Sequence, residues 1–496
     1  MAALIGDRGP TLARWAVVYA VALAAFALAR SPLSEELSGK LRSRAISWPM
    51  LLAHIASIAT FGALSRQFFL SAAGPGSDTA LAVVWSVSAL CLPVTALATF
   101  FPIGLWPALA RSGGSAWAFA GATAAVVAGL AQFGGVLWSP TTKLTFACVQ
   151  TLLRPLIPGL LVNPKAMEIG SSSFSVIINP ECSGLEGVAL IFAFGAGWLA
   201  FFRREYRFPH ALLLLPAGVS AVWVFNCFRI TALILIGHAG AAGLAMGGFH
   251  SQAGWIGFNT VAVAFTVAGR RIGWMRHRAV AASAAGNPVA PYLVPFLAIL
   301  AAAMVSKAAS SGAFEWLYGA RLLAAAVALW WFRREYAAMD WRAGWRAPAI
   351  GAAVFLIWIG AERIAGGGTA SPLPAVLASL TPAARIVWLT LRVLAAVITV
   401  PIAEELAFRG FVLRRVIAPD FECIDPRRYT ISALAVSSVL FGLLHGSRWF
   451  VGILAGLLYA YGYVRRGRIG EAALAHATTN ALLAAWVLWR GEWGLW

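Results

Sequence analysis

Charge is what this sequence has least of, and acid least of all. Only 11% of its 496 residues are Asp, Glu, Lys or Arg, against about a quarter in an ordinary soluble domain. Hydrophobic residues make up 60%. A soluble fold is thereby excluded, and a polytopic membrane protein is expected. The 38 basic residues outnumber 19 acidic ones, for a net charge of +19. They fall in short loops between apolar runs rather than on one arm, so topology and anionic lipid account for them and nucleic acid is not an expected partner. Cysteine is sparse as well. The five, at 91, 148, 182, 227 and 423, are odd in number and lack paired spacing, which argues against a disulfide framework or a metal site. There is no HExxH, so zinc is unsupported, and no cofactor is implied.

What the chain has instead is apolar runs. The run from Trp15 to Ala29 follows arginines like a signal peptide, but without a convincing cleavage site it reads as a first anchor. Others lie near 46 to 64, 80 to 101, 116 to 138 and 144 to 162, then from Val188 to Phe202 and from Gly254 to Gly269, with a helix entering near Pro209 between them. A small-residue, loop-like stretch at 279 to 292 marks a boundary. Beyond it spans fit near 290 to 306, 314 to 332, 348 to 365, 384 to 413, 429 to 446, 449 to 464 and 470 to 490. FFRREY at 201 to 206 and WFRREY at 331 to 336 hint at a repeat, yet the likeness stops there, and two basic span ends explain both.

The first chemical constellation centres on Cys182 in Pro180-Glu181-Cys182-Ser183-Gly184, a polar interruption after the strand-like segment Ser171 to Asn179. Such a cysteine is either a small apolar filler or a nucleophile, and its partners decide. A free thiol needs a nearby base or cation to become a thiolate at neutral pH. Glu181 and Glu186 oppose that; Arg229 and His250 would favour it. Positive clusters stay cytoplasmic, so Arg203, Arg204 and Arg207, with Arg270, Arg271, Arg276 and Arg278, place Cys182 and His250 at the extracytoplasmic face. Arg229 falls ~30 Å along its helix, near the same rim. A snorkelling arginine is the alternative. Together the three suit acyl transfer, with Cys182 as nucleophile, His250 as acid and base, and Arg229 holding the oxyanion. His54 and Arg154 are further polar candidates, more simply read as packed or interfacial. His210 and His238 are also available, and His238 is the substitute for His250, which is preferred because its flanking glycines allow close substrate approach.

PECSG, NCFRI and GGFH followed by Trp255, in this order among spans, resemble the motifs of exosortases, membrane-bound cysteine transpeptidases of Gram-negative bacteria. That resemblance implies cleavage of a C-terminal sorting signal made of a short motif, a hydrophobic helix and a basic tail, with Cys182 as nucleophile and Arg229 and His250 as partners. It covers roughly the first 280 residues. Where the family often carries a basic residue after CSGL, this chain has Glu186.

A second constellation lies in the helix from Val393 to Val412, where Glu404, Glu405 and Arg409 cannot face lipid unpartnered. Glu405 and Arg409, at i and i+4, are expected to pair, leaving Glu404 about 100° away and free. An ion-paired helix without chemistry is the alternative. His445, and His476 with Asn480 on one helix face, could join Glu404 in activating water. EExxxR, FxxxH and HxxxN in this order resemble the CPBP family of intramembrane proteases, which includes CAAX-processing enzymes. The resemblance implies that Glu404 and His445 activate water, that His476 and Asn480 bind the oxyanion, and that Glu405 and Arg409 support them. Counting from the flanking arginines puts the glutamates and His476 mid-membrane but His445 nearer the outer side.

The two resemblances in one chain look like the exosortase E/protease fusion type, associated with a VPEID-type sorting signal. The expectation is an all-α polytopic membrane protein of two helical-bundle units with about 14–15 spans. Its parts are an exosortase-like unit at 1–280, connecting spans of the second unit at 281–370, and a CPBP-like core at 371–496. It would lie in the bacterial inner membrane with its first site facing the periplasm. Its partners would be exported proteins bearing the sorting signal, and membrane lipids. A transporter with charges lining a path, or an assembly scaffold, is the rival reading; the unlike motifs of the halves speak against the transporter.

Overall fold

The computed structural model describes residues 47–70, 79–100, 103–107, 117–118, 121, 140–277, 287–312, 314–364 and 371–496. The expected anchor at 15–29, most of the run at 116–138, and Arg278 lie outside them. The chain divides into two compact units, Met1–Pro140 and Thr141–Trp496. Helices α1 (Trp48–Leu70) and α2 (Thr79–Phe100) of the first unit lie antiparallel. His54 Nδ1 meets Thr95 Oγ1 at 2.9 Å and Trp85 donates to Ser65 Oγ at 2.9 Å, so His54 serves helix pairing here.

The second unit opens with helix α3, described over 140–153. The apolar run expected to continue to 162 instead turns and becomes a strand. Strands β1 (Leu161–Asn163), β2 (Glu168–Gly170) and β3 (Ser175–Ile177) form an antiparallel sheet in the order β1-β2-β3. Three helices come next, α4 (Leu185–Phe201), α5 (Leu214–His238) and α6 (His250–Arg271). Glycines let them approach closely: a Cβ on Gly195 would sit 2.9 Å from Leu215 and Phe265, and one on Gly257 would sit 2.3 Å from Phe225. In a membrane, where lipid is as apolar as leucine, such close packing is a main source of helix association.

Beyond these lie α7 (Ala290–Ala308), α8 (Gly319–Trp331), α9 (Arg346–Ile364), the long rod α10 (Pro382–Ile417), and α11 (Ile431–Leu443), α12 (Trp449–Arg466) and α13 (Ile469–Arg490). A helix lies at every position where a span is expected after residue 287. Among the described residues, six helices are long and apolar enough to cross a membrane, and four more are shorter and apolar. This is an all-α polytopic membrane protein with one small sheet added.

The arginine-rich ends of α4 and α6 meet. Arg207 N–H donates to Met275 O at 2.8 Å, and Arg276 pairs with Glu205 at 2.9 Å. Tyr336, past α8, donates to Pro291 O at the start of α7, which joins the later basic loops to that same end. At the opposite end Gly248 N–H donates to Ser310 O at 3.1 Å. The basic loops thus gather at one end of these helices and the segment before His250 lies at the other.

Candidate active sites

Cys182 lies in a tight 3-10 turn, Pro180–Ser183, directly before α4. Gly184 ends the turn at φ +88°, a left-handed conformation that favours glycine, and a Cβ there would also press on Asn226 Nδ2 at 2.8 Å. The turn is held from behind. Asn226 Nδ2 donates to Cys182 O at 2.9 Å, Thr145 Oγ1 donates to Ser183 O at 3.1 Å, and Trp223 donates to Thr145 Oγ1 at 3.0 Å. These bonds fix the backbone and leave the thiol unengaged by them.

Arg229, three residues beyond Asn226 on α5, is the common neighbour of the site. Its guanidinium interacts electrostatically with Cys182, Glu186 and His250. Its Nε is buried without a hydrogen-bond partner. Gly254 makes room for it: a Cβ there would stand 2.9 Å from Arg229 Nη1. A cavity of about 220 Å³ lies alongside, lined among others by Gly184, Glu186, Asn226, Arg229, Ser251 and Trp255. His250 is exposed at the first turn of α6. His238 sits nine residues past Arg229 (229 to 238), ~13 Å along α5. His210 instead faces the Trp274 ring at 5.7 Å, and Arg154 is exposed in the turn after α3.

The glycines before His250 have a different purpose from the one their position suggests. Close substrate approach is the sequence expectation, but Gly248 touches the protein itself: a Cβ there would fall 1.8 Å from Lys307 O and 2.3 Å from Ser310 O. Gly247 kinks the chain at φ −87°, ψ −109°, inside a wide i→i+5 turn over Ala245–Phe249. The His250 helix is thus seated on the end of α7.

In the second half α10 is one apolar rod interrupted by two i→i+5 segments, Ala395–Thr399 and Leu406–Leu413, with the glutamates between them. Such π-turns insert an extra residue and recur at functional sites. Glu405 and Arg409 are fully buried. Arg409 Nη1 donates to Glu405 Oε1 at 3.2 Å; Nε and Oε2 are 3.1 Å apart but out of line for a hydrogen bond. Arg409 Nη2 donates to Gly456 O at 2.7 Å, and its guanidinium lies 4.5 Å above Phe441. His476 Nδ1 meets Glu405 Oε1 at 3.0 Å, with its ring stacked on Tyr459 at 4.9 Å. Glu404 points elsewhere. Its Oε2 is shielded from solvent with no partner, and the carboxyl interacts electrostatically with His476, Glu405 and Arg409.

His445 Nδ1 is 2.9 Å from Phe441 O. With Nδ1–H as donor, the lone pair sits on Nε2. Its ring lies against Phe441 and Trp358 and interacts electrostatically with His476. α11 is only 13 residues long and turns at once into α12, and Phe441 near its end ties His445 to the rest, its ring centroid 4.9 Å from that of His445 and 5.5 Å from that of His476. Gly442 and Gly452 make this short hairpin possible, since a Cβ on Gly452 would come 2.9 Å from Gly442 Cα. Asn480 lies one turn beyond His476 and donates to Ala396 O at 2.8 Å. Five of the six residues expected in this second site therefore share one cluster, and Asn480 borders it.

Residues 8–269 match the family model for transmembrane exosortases, more than half of the chain. The chain belongs to the transmembrane exosortase family. Residues 386–482 match the model for type II CAAX prenyl endopeptidase Rce1-like proteins, so the exosortase domain is fused to a second membrane-protease domain. No curated protein and no solved structure matches the chain. Both families are membrane peptidases or transpeptidases, and the protein is a multi-pass membrane enzyme with peptidase activity. Exosortases process exported proteins that carry C-terminal sorting signals.

Sequence reasoning on the exosortase half passed over Asn226, although it opens the quoted NCFRI motif, and Thr145, which no motif flags. In the Rce1-like half it passed over Tyr459 and Trp358. An aromatic side chain in an aromatic-rich membrane chain carries no signal until its neighbours are known.

Proposed function

We propose that this exosortase cuts polypeptides at two chemically different sites, the first at the periplasmic rim of the bacterial inner membrane and the second within the bilayer. At the first, Cys182 Sγ attacks the carbonyl of a VPEID-type sorting motif and forms a thioester. His250 takes the thiol proton and returns it to the departing amine, and the free donors of Arg229 hold the oxyanion. An acceptor amine, or water, then releases the acyl group. The observation that carries this reading is Arg229, an electrostatic neighbour of both Cys182 and His250 with an unsatisfied nitrogen beside a cavity.

At the second site Glu404 accepts a proton from water while His445, its Nε2 lone pair available, assists. His476 and Asn480 hold the oxyanion. Glu405 and Arg409 keep the cluster near neutrality.

The test is mass spectrometry of both products from a sorting-signal peptide in Cys182→Ala and Glu404→Gln variants. Each is expected to lose one cleavage and keep the other. A membrane-impermeant thiol reagent applied from the periplasmic side should label Cys182; labelling only from the cytosolic side would overturn the sidedness.

A further inference from the structure

We propose that the outward edge of β3 is a pairing strand for the substrate backbone, so that an extended peptide is threaded past Cys182 as a fourth strand of the small sheet. This rests on the reading of Cys182 as nucleophile. The ladder alternates: Ile178 N–H donates to Met167 O and Ser171 N–H to Phe174 O, so residues 174, 176 and 178 turn their backbone groups toward β2. Ser175 and Ile177 turn theirs away. The N–H and C=O of Ser175 and the N–H of Ile177 have no hydrogen-bond partner among the described residues, while Ile177 O accepts from Asn179 N–H. Both residues are exposed.

The other side of the strand is occupied. Ile178 is buried, and Phe174 fills the space a Cβ on Gly237 would need, 2.2 Å from its ring. An unpaired edge is a template for another chain, and a peptide bound there gains affinity from main-chain bonds and selectivity from alternate side chains. The nearby nucleophile indicates the occupant. Four residues past Ile178 comes Cys182, whose N–H donates to Asn179 O, so edge and nucleophile are locked in one turn. A peptide lying along Ser175–Ile177 continues past Cys182 toward the cavity beside Arg229. The strand is three residues long and matches about three or four peptide residues. That length suits a short recognition motif and is too short for a stable edge-to-edge dimer.

The probe is a synthetic peptide carrying Val-Pro-Glu-Ile-Asp followed by an apolar segment, N-methylated at one backbone position at a time and offered to the wild-type full chain. Cleavage at the Cys182 site should fall about tenfold where an N–H faces β3 and stay within about twofold at the intervening positions, a period of two. In the enzyme, Ile177→Pro deletes only the outward N–H, and an edge position tolerates it. It should raise KM about tenfold while kcat and the alkylation rate of Cys182 by iodoacetamide hold. Ile177→Val should match the wild type. Loss without alternation, or an unchanged KM in Ile177→Pro, overturns the proposal. Cleavage that persists in Cys182→Ala would instead refute the nucleophile assignment, which the alternation test does not depend on.

Discussion

The two halves answer one problem, breaking a peptide bond at a membrane, with opposite electrostatics. In the exosortase half the charged group is left unsatisfied: Arg229 has a buried nitrogen without a partner, glycines clear space around it, and His250 is exposed. In the Rce1-like half the charges are paired with one another. Glu405, Arg409 and His476 are linked in one chain roofed by Phe441 and Tyr459, and Glu404, outside that chain, has an oxygen with neither an ion-pair nor a hydrogen-bond partner. On the proposed placement of the two sites, the difference follows from depth. At mid-bilayer an ionised side chain costs roughly 2.5–3.5 kcal/mol on insertion scales, so charges there must neutralise one another. At the rim, water and headgroups carry part of that cost, and a donor can be kept free for a substrate. A side-chain nucleophile also has to be reached, which favours a turn at the edge over a buried helix.

The largest effects should come from the groups that perform each reaction. Cys182→Ala is expected to reduce cleavage at the first site by at least about 10³-fold and to leave the second unchanged; Glu404→Gln should do the reverse. Product masses from purified enzyme would show it. If either variant silenced both sites, the two would be stages of one reaction rather than independent chemistries.

The two arginines sharpen the contrast next. Arg409→Leu removes the guanidinium paired with the fully buried Glu405 carboxylate and should destabilise the second half by about 3–5 kcal/mol in thermal unfolding. Arg229→Leu should change stability by less than about 1 kcal/mol, because its partners are electrostatic neighbours at the rim. Its cost should appear in kcat, at about 10²–10³-fold. An Arg229 variant that unfolded would make it a structural ion and break the comparison.

Much of this was legible in the sequence because lipid simplifies the code: span length, arginine placement and the expense of buried charge are strong constraints. The Glu405–Arg409 pair and the free Glu404 follow from helical spacing alone. The sheet was only half visible. Its strands are three residues each; the first begins where apolar content suggested a continuing span, the second lies past the end of that run where no element was expected, and the strand-like stretch at 171 to 179 contributes only Ser175–Ile177. The placement of His445 was hidden because hydropathy does not show that its helix stops after 13 residues. Gly247 and Gly248 were misread for a similar reason, as their neighbours at 307 to 311 are distant in the chain.

That contact gives a smaller prediction. Gly248→Ala forces a Cβ into the Lys307 and Ser310 carbonyls and should cost about 1–3 kcal/mol. Because it displaces the helix that carries His250, cleavage at the first site should slow while cleavage at the second holds. Equal losses at both would mean that the α6–α7 contact organises the whole unit rather than one catalytic group.

The smallest effect belongs to Tyr459→Phe. The hydroxyl donates to Thr479 Oγ1 at 2.8 Å, and Thr479 itself has acceptors at Gly351 O, 2.9 Å, and Ala475 O, 3.2 Å. Removing the phenol oxygen therefore strands no buried donor, and the loss should be about 1 kcal/mol or less. The ring stays stacked on His476, 4.9 Å away and tilted by 16°, so second-site cleavage should stay within about threefold. Tyr459→Leu removes the stacking as well and should lower kcat further with little change in KM. Equal losses in both variants would mean that the hydroxyl, rather than the ring, orients His476, and the aromatic roof would then have no part in how this half manages its charge.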